Sequence, residues 1–313
     1  MVQIERISAI ALTVSDLDRA KEFYTQALGF EVVEDRVFDR SSYDLLTAIP
    51  PTKVRQAILK LGDERIELVQ YLDLTAKSIP ADSQSNDLWF QHMAIVVKDI
   101  DLAYKHLQSF EIEKISDKPQ TIPDDNPMAA GVKAFKFRDC DRHALELIWF
   151  PADKGKAKWQ QETDRLFLGI DHSAISIADT ESSLKFYRDL LGMEMAGSNV
   201  NHGEVQALLD GLPIAEVRVV PLEPAESSIG VEFLDYLKPQ TYSPIPDDWQ
   251  INDLAHMHYV MEVADLQSSW NELKQREVEI VSPDIVEFPD SYRYDKGFLI
   301  KDPSGHALLI VSA

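Results

Sequence analysis

Short segments in which apolar and polar residues alternate recur along the chain. Each is followed by a segment whose apolar residues recur every three or four positions. Residues 172–177 alternate with a period of two, which is typical of a half-buried strand. Residues 17–28 follow the second pattern, which predicts a helix with one apolar face. The residues of that face are Leu17, Ala20, Tyr24, Ala27 and Leu28.

Residues suited to helix ends and turns flank these segments. Asp16 and Asp179 can each accept a hydrogen bond from an otherwise unpaired backbone N–H at a helix start. Gly29 and Gly192 stand where a helix favours a left-handed terminal residue. Three further strands are then predicted, the last two joined by turn residues such as those at 302–305. The predicted order of elements is therefore βαβββ.

This βαβββ unit occurs four times. Odd modules resemble odd ones and even modules resemble even ones, which indicates duplication of a two-module ancestor. We number the modules 1 to 4, and they cover residues 7–72, 92–150, 170–237 and 258–313. The linkers between them are predicted at residues 73–89, 151–168 and 238–254. The repeat predicts two domains, residues 1–150 with modules 1 and 2, and residues 169–313 with modules 3 and 4, joined by the linker 151–168.

Length and charge limit the classes of protein. A chain of 313 residues suits two domains, each long enough to bury its own core. The formal net charge is −22, from 31 basic and 53 acidic residues, with no basic block to offset it. Such a surface repels nucleic acid and anionic membranes. We therefore expect neither as a partner.

Cysteine content and apolar runs indicate a cytoplasmic protein. Cys140 is the single cysteine, so the chain forms no internal disulfide and no site with several thiolate ligands. The first 14 residues lack a basic region and are predicted to form a strand, not a signal peptide. No segment approaches the roughly 20 apolar residues that span a bilayer.

Three histidines share one position in the repeat. His92, His172 and His258 each stand seven residues before an aspartate that opens a helical segment, whereas module 1 has Ala9 there. A lone histidine on a strand is more often only hydrogen-bonded. Packing alone, however, does not explain a histidine at the same position in three of the four modules. The series favours a metal site with one strand-borne ligand from each module.

The closing phrases and helix segments carry a family resemblance. Phe-Tyr is followed four residues later by Leu-Gly at Phe23 and at Phe186, and modules 2 and 4 end with residues 139–147 and 302–310. With these motifs the chain resembles the vicinal oxygen chelate superfamily, the glyoxalase/bleomycin resistance/dioxygenase fold. The resemblance implies an α+β fold in which four βαβββ modules form two cupped, incomplete-barrel mixed sheets with helices outside.

The resemblance also implies a second set of ligand positions, on the last strand of each module. Glu67, Glu146 and Glu232 occupy these positions, and module 4 has Leu309. Neutral imidazole and carboxylate together suit one divalent Fe, Mn, Zn or Ni ion. The candidate metal ligands are His172, Glu232, His258, His92, Glu146 and Glu67, with Glu232 and Glu146 as candidate catalytic residues.

Which modules pair decides which ligands meet, and the sequence leaves two alternatives open. If neighbours pair, one site has Glu67, His92 and Glu146, and the other has the remaining three candidates. If the halves exchange partners, modules 2 and 3 unite four ligands, and modules 1 and 4 share only Glu67 and His258. His172 and Glu232 belong to the better site in both cases.

The resemblance implies small substrates that chelate a metal through adjacent oxygens. We expect a metal-dependent enzyme of lyase or isomerase type, acting as a monomer or homodimer. An Fe(II) extradiol ring-cleaving dioxygenase is the first alternative. The second is a metal-free binding protein of the bleomycin-resistance type, in which aromatic residues would wall the cup. The candidates for such walls are Trp149, Phe150, Tyr236 and Trp270.

Overall fold

The structure is a computed structural model that describes residues 2–39, 43–47, 49–50, 52–288 and 293–312. In module 1 the elements are β1 Ile4–Thr13, α1 Leu17–Leu28, β2 Glu31–Asp39, α2 Tyr43–Thr47, β3 Lys53–Leu61 and β4 Glu64–Tyr71. In module 2 they are β5 Gln91–Val97, α3 Ile100–Leu107, β6 Glu113–Lys114, β7 Gln120–Thr121, β8 Lys133–Arg138 and β9 Ala144–Trp149. A 3₁₀ turn, Ala157–Gln160, lies in the linker that follows.

Modules 3 and 4 follow the same plan. Module 3 has β10 Phe167–Ser176, α4 Thr180–Leu184 continued by a π-helical turn Lys185–Leu190, β11 Glu194–Met195, β12 Asn199–His202, α5 Gly203–Asp210, β13 Glu216–Glu223 and β14 Gly230–Lys238. Module 4 has β15 Met257–Val263, α6 Leu266–Gln275, β16 Val286–Glu287, β17 Lys296–Lys301 and β18 Ala307–Ser312. Within the described ranges no helix is long and apolar enough to cross a membrane.

The predicted helix starts and stops are confirmed. The Asp16 side chain accepts a hydrogen bond from the Arg19 backbone N–H, and Asp179 does the same for Ser182. Gly29 ends α1 in the left-handed region, with φ of 72°. The predicted βαβββ order is incomplete, however. Modules 1 and 3 contain the additional helices α2 and α5, and modules 2 and 3 each have four strands after their first helix instead of three.

The strands form two mixed sheets that exchange modules between the halves of the chain. Modules 1 and 4 share one sheet, in which β1 pairs antiparallel with β15. Modules 2 and 3 share the other, in which β5 pairs antiparallel with β10. We call them the 1+4 sheet and the 2+3 sheet. Of the two pairings that the sequence left open, the structure therefore has the exchanged one.

The predicted division at residues 151–168 follows the repeat in the sequence. The sheets do not follow it, because each takes one module from either side of this linker. The division into two domains, residues 1–150 and 169–313, thus stays a prediction from the repeat in the sequence. The structural unit that positions side chains is the exchanged sheet.

Strand alternation decides which side chains face the inside of each cup. On β9, Leu145 and Leu147 lie in the large core shared with the helices, so Glu146 points to the opposite face. On β5, Met93 and Ile95 face that same core, which turns His92 toward the cup. The apolar residues beside the strand glutamates thus fix the glutamates on the cup side.

Candidate metal centre

Four predicted ligands meet on the cup side of the 2+3 sheet. His92 lies on β5, Glu146 on β9, His172 on β10 and Glu232 on β14. Ala94 on β5 pairs with both His172 and Glu146, so these two side chains flank it in one row. Ala174 on β10 pairs likewise with His92 and Glu232. Small residues at both centres leave room for the four longer side chains between the rows.

Short distances join these side chains. The Nε2 atom of His92 lies 3.4 Å from Oε2 of Glu146, and Nε2 of His172 lies 3.9 Å from the same oxygen. Nε2 of His172 is also 3.7 Å from Oε1 of Glu232. Ligand atoms of His92, Glu146 and His172 all lie within 4.8 Å of one another. The sheet therefore gathers donors at a spacing that one ion can bridge.

The burial of these nitrogens tests whether a metal ion fits. Both ring nitrogens of His92, and Nε2 of His172, are buried and have no hydrogen-bond partner among the described residues. A buried polar atom without a partner is costly. Imidazole nitrogens and carboxylate oxygens are the ligands that divalent iron, manganese, zinc and nickel accept. The residues present therefore fit a divalent transition-metal ion.

An acidic residue beside His172 orients its ring. Oδ2 of Asp171 lies 3.0 Å from Nδ1 of His172, which leaves Nε2 facing the cup. Asp171 is itself held by the indole N–H of Trp159, which donates to Oδ1 at 2.6 Å. Such carboxylate–histidine pairs fix the tautomer of a metal-binding histidine. Sequence reasoning missed Asp171 and Trp159, and the only available signal was the adjacency of Asp171 to His172.

The two histidines have different electrostatic surroundings. Burial and the positive charge of Lys136 lower the pKa of His92 to about 4, so its ring is neutral and suited to bind a cation. Burial also lowers the pKa of His172, but the carboxylates of Glu232 and Asp171 outweigh it and raise the value to about 9. Without a metal, a proton therefore compensates the acidic charge around His172.

The two glutamates differ as well. Burial raises the pKa of Glu146, but His92 and Lys136 oppose it and bring the value down to about 2, so this carboxylate is ionised. Burial raises the pKa of Glu232 above its usual range, against the effect of His172. The side chain of Glu232 is 21% exposed and that of Glu146 only 7%. Glu232 is the more accessible of the two.

A cavity of about 230 Å³ opens beside the four side chains. This volume lies just below the usual range of ligand sites, which indicates a small substrate. Apolar residues that line it include Ile122, Met128 and Phe150, which we call the apolar wall. Five polar residues also line it, and we call them the polar wall: Asn126, Lys136, Asn199, Asn201 and Gln206.

The remaining candidate ligands, Glu67 and His258, lie in the 1+4 sheet. Glu67 accepts a hydrogen bond from Nε2 of Gln56 at 2.7 Å, and Nδ1 of His258 lies 3.0 Å from Nε2 of His256. The positions that would complete a site are Ala9 and Leu309, and both pack in an apolar cluster. The role of Glu67 and His258 as metal ligands stays a prediction. The structure places both residues in a different sheet from the four donors of the 2+3 sheet.

The aromatic candidates divide between cavity and core. Phe150 lines the cavity, whereas Trp270 packs edge-on against Phe298 at 4.9 Å in the core. Trp149 and Tyr236 pack against apolar clusters. Burial raises the pKa of the Cys140 thiol to about 12, which does not suit a nucleophile.

Comparison with known proteins places the chain in a family. Residues 6–147 and 169–310 each match the model of the Glyoxalase/Bleomycin resistance protein/Dioxygenase superfamily. The chain therefore belongs to this superfamily, as the motifs at Phe23 and Phe186 predict.

Individual relatives have different activities. A 2-epi-5-epi-valiolone epimerase from Actinomyces sp is 33% identical over 161 residues, which are 50% of this chain and 83% of that protein. A lactoylglutathione lyase from Schizosaccharomyces pombe is 24% identical over 200 residues, 61% of this chain and 60% of that one. The crystal structure of glyoxalase I from Zea mays superposes with a TM-score of 0.63 at 16% identity, covering 98% of this chain and 92% of that chain. This last likeness confirms the fold.

Proposed function

We propose that the chain is an enzyme of isomerase or lyase type that depends on one divalent metal ion, Fe, Mn, Zn or Ni. Its substrate is a small hydroxyketone that presents two adjacent oxygens. The observation that carries the proposal is the group of His92, Glu146, His172 and Glu232 beside a cavity of about 230 Å³. The epimerase and the lactoylglutathione lyase among its relatives support this type of reaction.

The residues have distinct tasks in this reaction. His92, His172 and Glu146 would hold the metal, which as a Lewis acid stabilises negative charge on the carbonyl oxygen of the substrate. Asp171 keeps Nε2 of His172 turned toward the cup. Glu232 is the most accessible carboxylate of the group; it accepts the proton from the carbon next to the carbonyl and returns it to the resulting enolate. The apolar wall at Ile122 and Phe150 excludes water from this carbon.

A ring-cleaving dioxygenase is the second candidate. The tight group of His92, His172 and Glu146 is a set of two histidines and one carboxylate, which is also the set that binds Fe(II) in non-haem oxygenases. Oxygen consumption separates the two functions, because a dioxygenase consumes oxygen and an isomerase or lyase does not.

Metal content tests the proposal. The protein is purified anaerobically without added metal or chelator, together with His172→Ala and with His258→Ala as the matched control from the 1+4 sheet. We expect about one equivalent of metal in the wild type and the control, and a loss in His172→Ala. Incorporation of deuterium next to the carbonyl of a hydroxyketone in D₂O, followed by NMR, then tests proton transfer.

Other outcomes would change the conclusion. Iron together with oxygen consumption would favour the dioxygenase. No metal in any sample, and none after reconstitution, would contradict both enzymes and leave a metal-free binding protein. Equal loss of metal from His258→Ala would place the ion elsewhere than in the 2+3 sheet.

A further inference from the structure

A buried ion pair lies beside the proposed metal site and takes no part in holding the metal. Lys136 on β8 pairs in register with Glu146, so both side chains point into the same cup. Its ammonium donates to Oδ1 of Asp210 at 2.7 Å, and the two side chains are 3% and 0% exposed. Burying such a pair costs desolvation that its attraction often fails to recover. Stability alone therefore does not explain its presence.

The ion pair leaves hydrogen-bonding capacity at the cavity. The Lys136 ammonium has three N–H donors, and its one side-chain hydrogen bond among the described residues is that to Asp210. Gln206 donates through Nε2 to Oδ2 of Asp210 at 2.7 Å. The other amide atom, Oε1 of Gln206, is buried without a hydrogen-bond partner in the part of the chain that the structure describes. Lys136 and Gln206 both line the cavity. The Asp210 carboxylate thus holds two side chains with unused hydrogen-bonding capacity: Lys136, which has a spare donor, and Gln206, which has a spare acceptor.

The 1+4 sheet can be compared with the 2+3 sheet at the positions of Lys136 and Asp210, because a serine makes the same two hydrogen bonds in both sheets. In the 2+3 sheet, Oγ of Ser116 accepts from the Lys136 N–H at 2.9 Å and donates to the Leu209 carbonyl at 2.7 Å. In the 1+4 sheet, Oγ of Ser282 accepts from the Leu299 N–H at 2.8 Å and donates to the Leu46 carbonyl at 2.8 Å. Leu299 therefore stands where Lys136 does.

The same comparison identifies the counterpart of Asp210. Since Leu46 corresponds to Leu209, the next residue, Thr47, corresponds to Asp210. The 1+4 sheet thus has leucine and threonine instead of the ion pair. It is also the sheet in which Ala9 and Leu309 replace two metal ligands. The ion pair is present where the four donors are present and absent where two are missing, which associates it with the ligand-binding function of the cup.

We propose that Lys136, Asp210 and Gln206 form a subsite that binds a hydroxyl group of the substrate, separate from the two oxygens on the metal. A hydroxyl both donates and accepts, and so matches the spare acceptor of Gln206 and the spare donor of Lys136. Because Asp210 already balances the ammonium charge, a neutral hydroxyl fits better than a carboxylate or phosphate. The subsite rests on the proposed function and narrows its substrate to polyhydroxylated ketones.

The rest of the polar wall supports this substrate class. Oδ1 of Asn201 accepts hydrogen bonds from Nδ2 of Asn126 at 2.6 Å and Nδ2 of Asn199 at 3.1 Å, and all three asparagines line the cavity. Side-chain amides present donors and acceptors without net charge, as recognition of several hydroxyl groups requires. The cavity of about 230 Å³ limits the ketone to a small compound.

Two ketones that differ only in their hydroxyl groups test the subsite. Protein loaded with one equivalent of zinc is titrated calorimetrically with a pentahydroxycyclohexanone and with 2-hydroxycyclohexanone, which share the hydroxyketone unit. The double variant Lys136→Leu/Asp210→Thr introduces the residues of the 1+4 sheet without leaving a lone buried charge. Lys133→Leu, on the other face of β8, is the matched control.

We expect the wild type and the control to bind the pentahydroxy compound roughly tenfold more tightly or better, the value of one hydrogen bond to a charged group. In the double variant the two affinities should lie within about threefold of each other, with zinc still bound. If the zinc-loaded wild type binds both compounds with equal affinity, the subsite alone is overturned. A preference that survives in the double variant also overturns the subsite alone. If the zinc-loaded wild type binds neither compound, the hydroxyketone substrate of the proposed function and the subsite both fail. Failure of the wild type to bind zinc overturns the proposed function, and the subsite with it.

Discussion

The phenolic hydroxyl of Tyr24 donates a hydrogen bond to Oδ2 of Asp139 at 3.0 Å, deep in the core. Tyr187 repeats it with Asp302 at 3.1 Å. In each pair the tyrosine belongs to an odd module and the aspartate to the closing turn of the next module. Modules 1 and 2, and likewise modules 3 and 4, are thus joined through helix and turn, although their strands lie in different sheets.

Replacing Tyr24 with phenylalanine removes this link. Asp139 is buried and also binds Nδ1 of His143 at 2.9 Å, so a charged acceptor loses one of its donors. We expect Tyr24→Phe to lower the free energy of unfolding by about 1.5–3 kcal/mol. Urea denaturation measures the change. Tyr104→Phe, at a surface hydroxyl, is the control and should change stability little. Equal effects of both variants would contradict a structural role of the Tyr24–Asp139 bond.

Removing one charge of the Lys136–Asp210 pair should cost more stability than removing both charges. Lys136→Met leaves the Asp210 carboxylate buried without its cation and should cost about 3–5 kcal/mol. The double variant Lys136→Leu/Asp210→Thr removes both charges, so we expect it to be more stable than the single variant. Chemical unfolding of the two proteins compares them. A double variant less stable than Lys136→Met would show that the pair is needed for folding.

Glu67 predicts a pH dependence of stability. Burial raises its pKa to about 7 from an ordinary 4.5, although Arg293 and Gln56 oppose the shift. The folded protein therefore binds the proton more tightly than the unfolded chain. Stability from this group is full below pH 4.5 and is lost as the pH rises through 7.

The Glu67→Gln variant isolates this contribution. The difference in unfolding free energy between variant and wild type should grow by up to about 3 kcal/mol between pH 5 and pH 8, in favour of the variant. Urea unfolding at both pH values measures it. The same pH slope in both proteins would show that the Glu67 carboxyl is already ionised at pH 5.

Asp171 predicts a graded loss of metal affinity. Asp171→Asn keeps the shape of the side chain but removes the charge that orients Nδ1 of His172. We expect zinc to bind about 10–100-fold more weakly. Competition with a chromogenic chelator measures the affinity, with the exposed Asp164→Asn as control. Unchanged affinity in Asp171→Asn would exclude this orienting role.

Repeats and alternation in the sequence predict most of the fold, because they follow from local chemistry. The helix at residues 17–28 and the cap at Asp16 are examples. The exchange of modules depends instead on contacts far apart in the chain. Oδ1 of Asp253 accepts from the Lys77 N–H at 2.7 Å, and Oδ1 of Asp87 accepts from the Ser243 N–H at 3.0 Å. Linkers of nearly equal length contain no sign of these pairings.

The residues of the candidate site also differ in whether the sequence predicts them. The shared position of His92 and His172 within the repeated module identifies these two residues. Lys136 and Asp210, in contrast, are 74 residues apart and belong to no motif. The helix that carries Asp210 does leave a signal, since Val205, Leu208 and Leu209 follow helical spacing before Gly211. Including that helix in the predicted module would have placed Asp210 at a helix end, but not beside Lys136.

Exchange of modules also has an evolutionary consequence. In a dimer of identical half-chains, every substitution would appear in both cups, and losing one ligand would disable both. Within a single chain the two cups draw on different modules, so Ala9 and Leu309 alter the 1+4 sheet and leave the donors of the 2+3 sheet intact. In a fused chain, one cup can therefore lose ligands while the other keeps all of its donors.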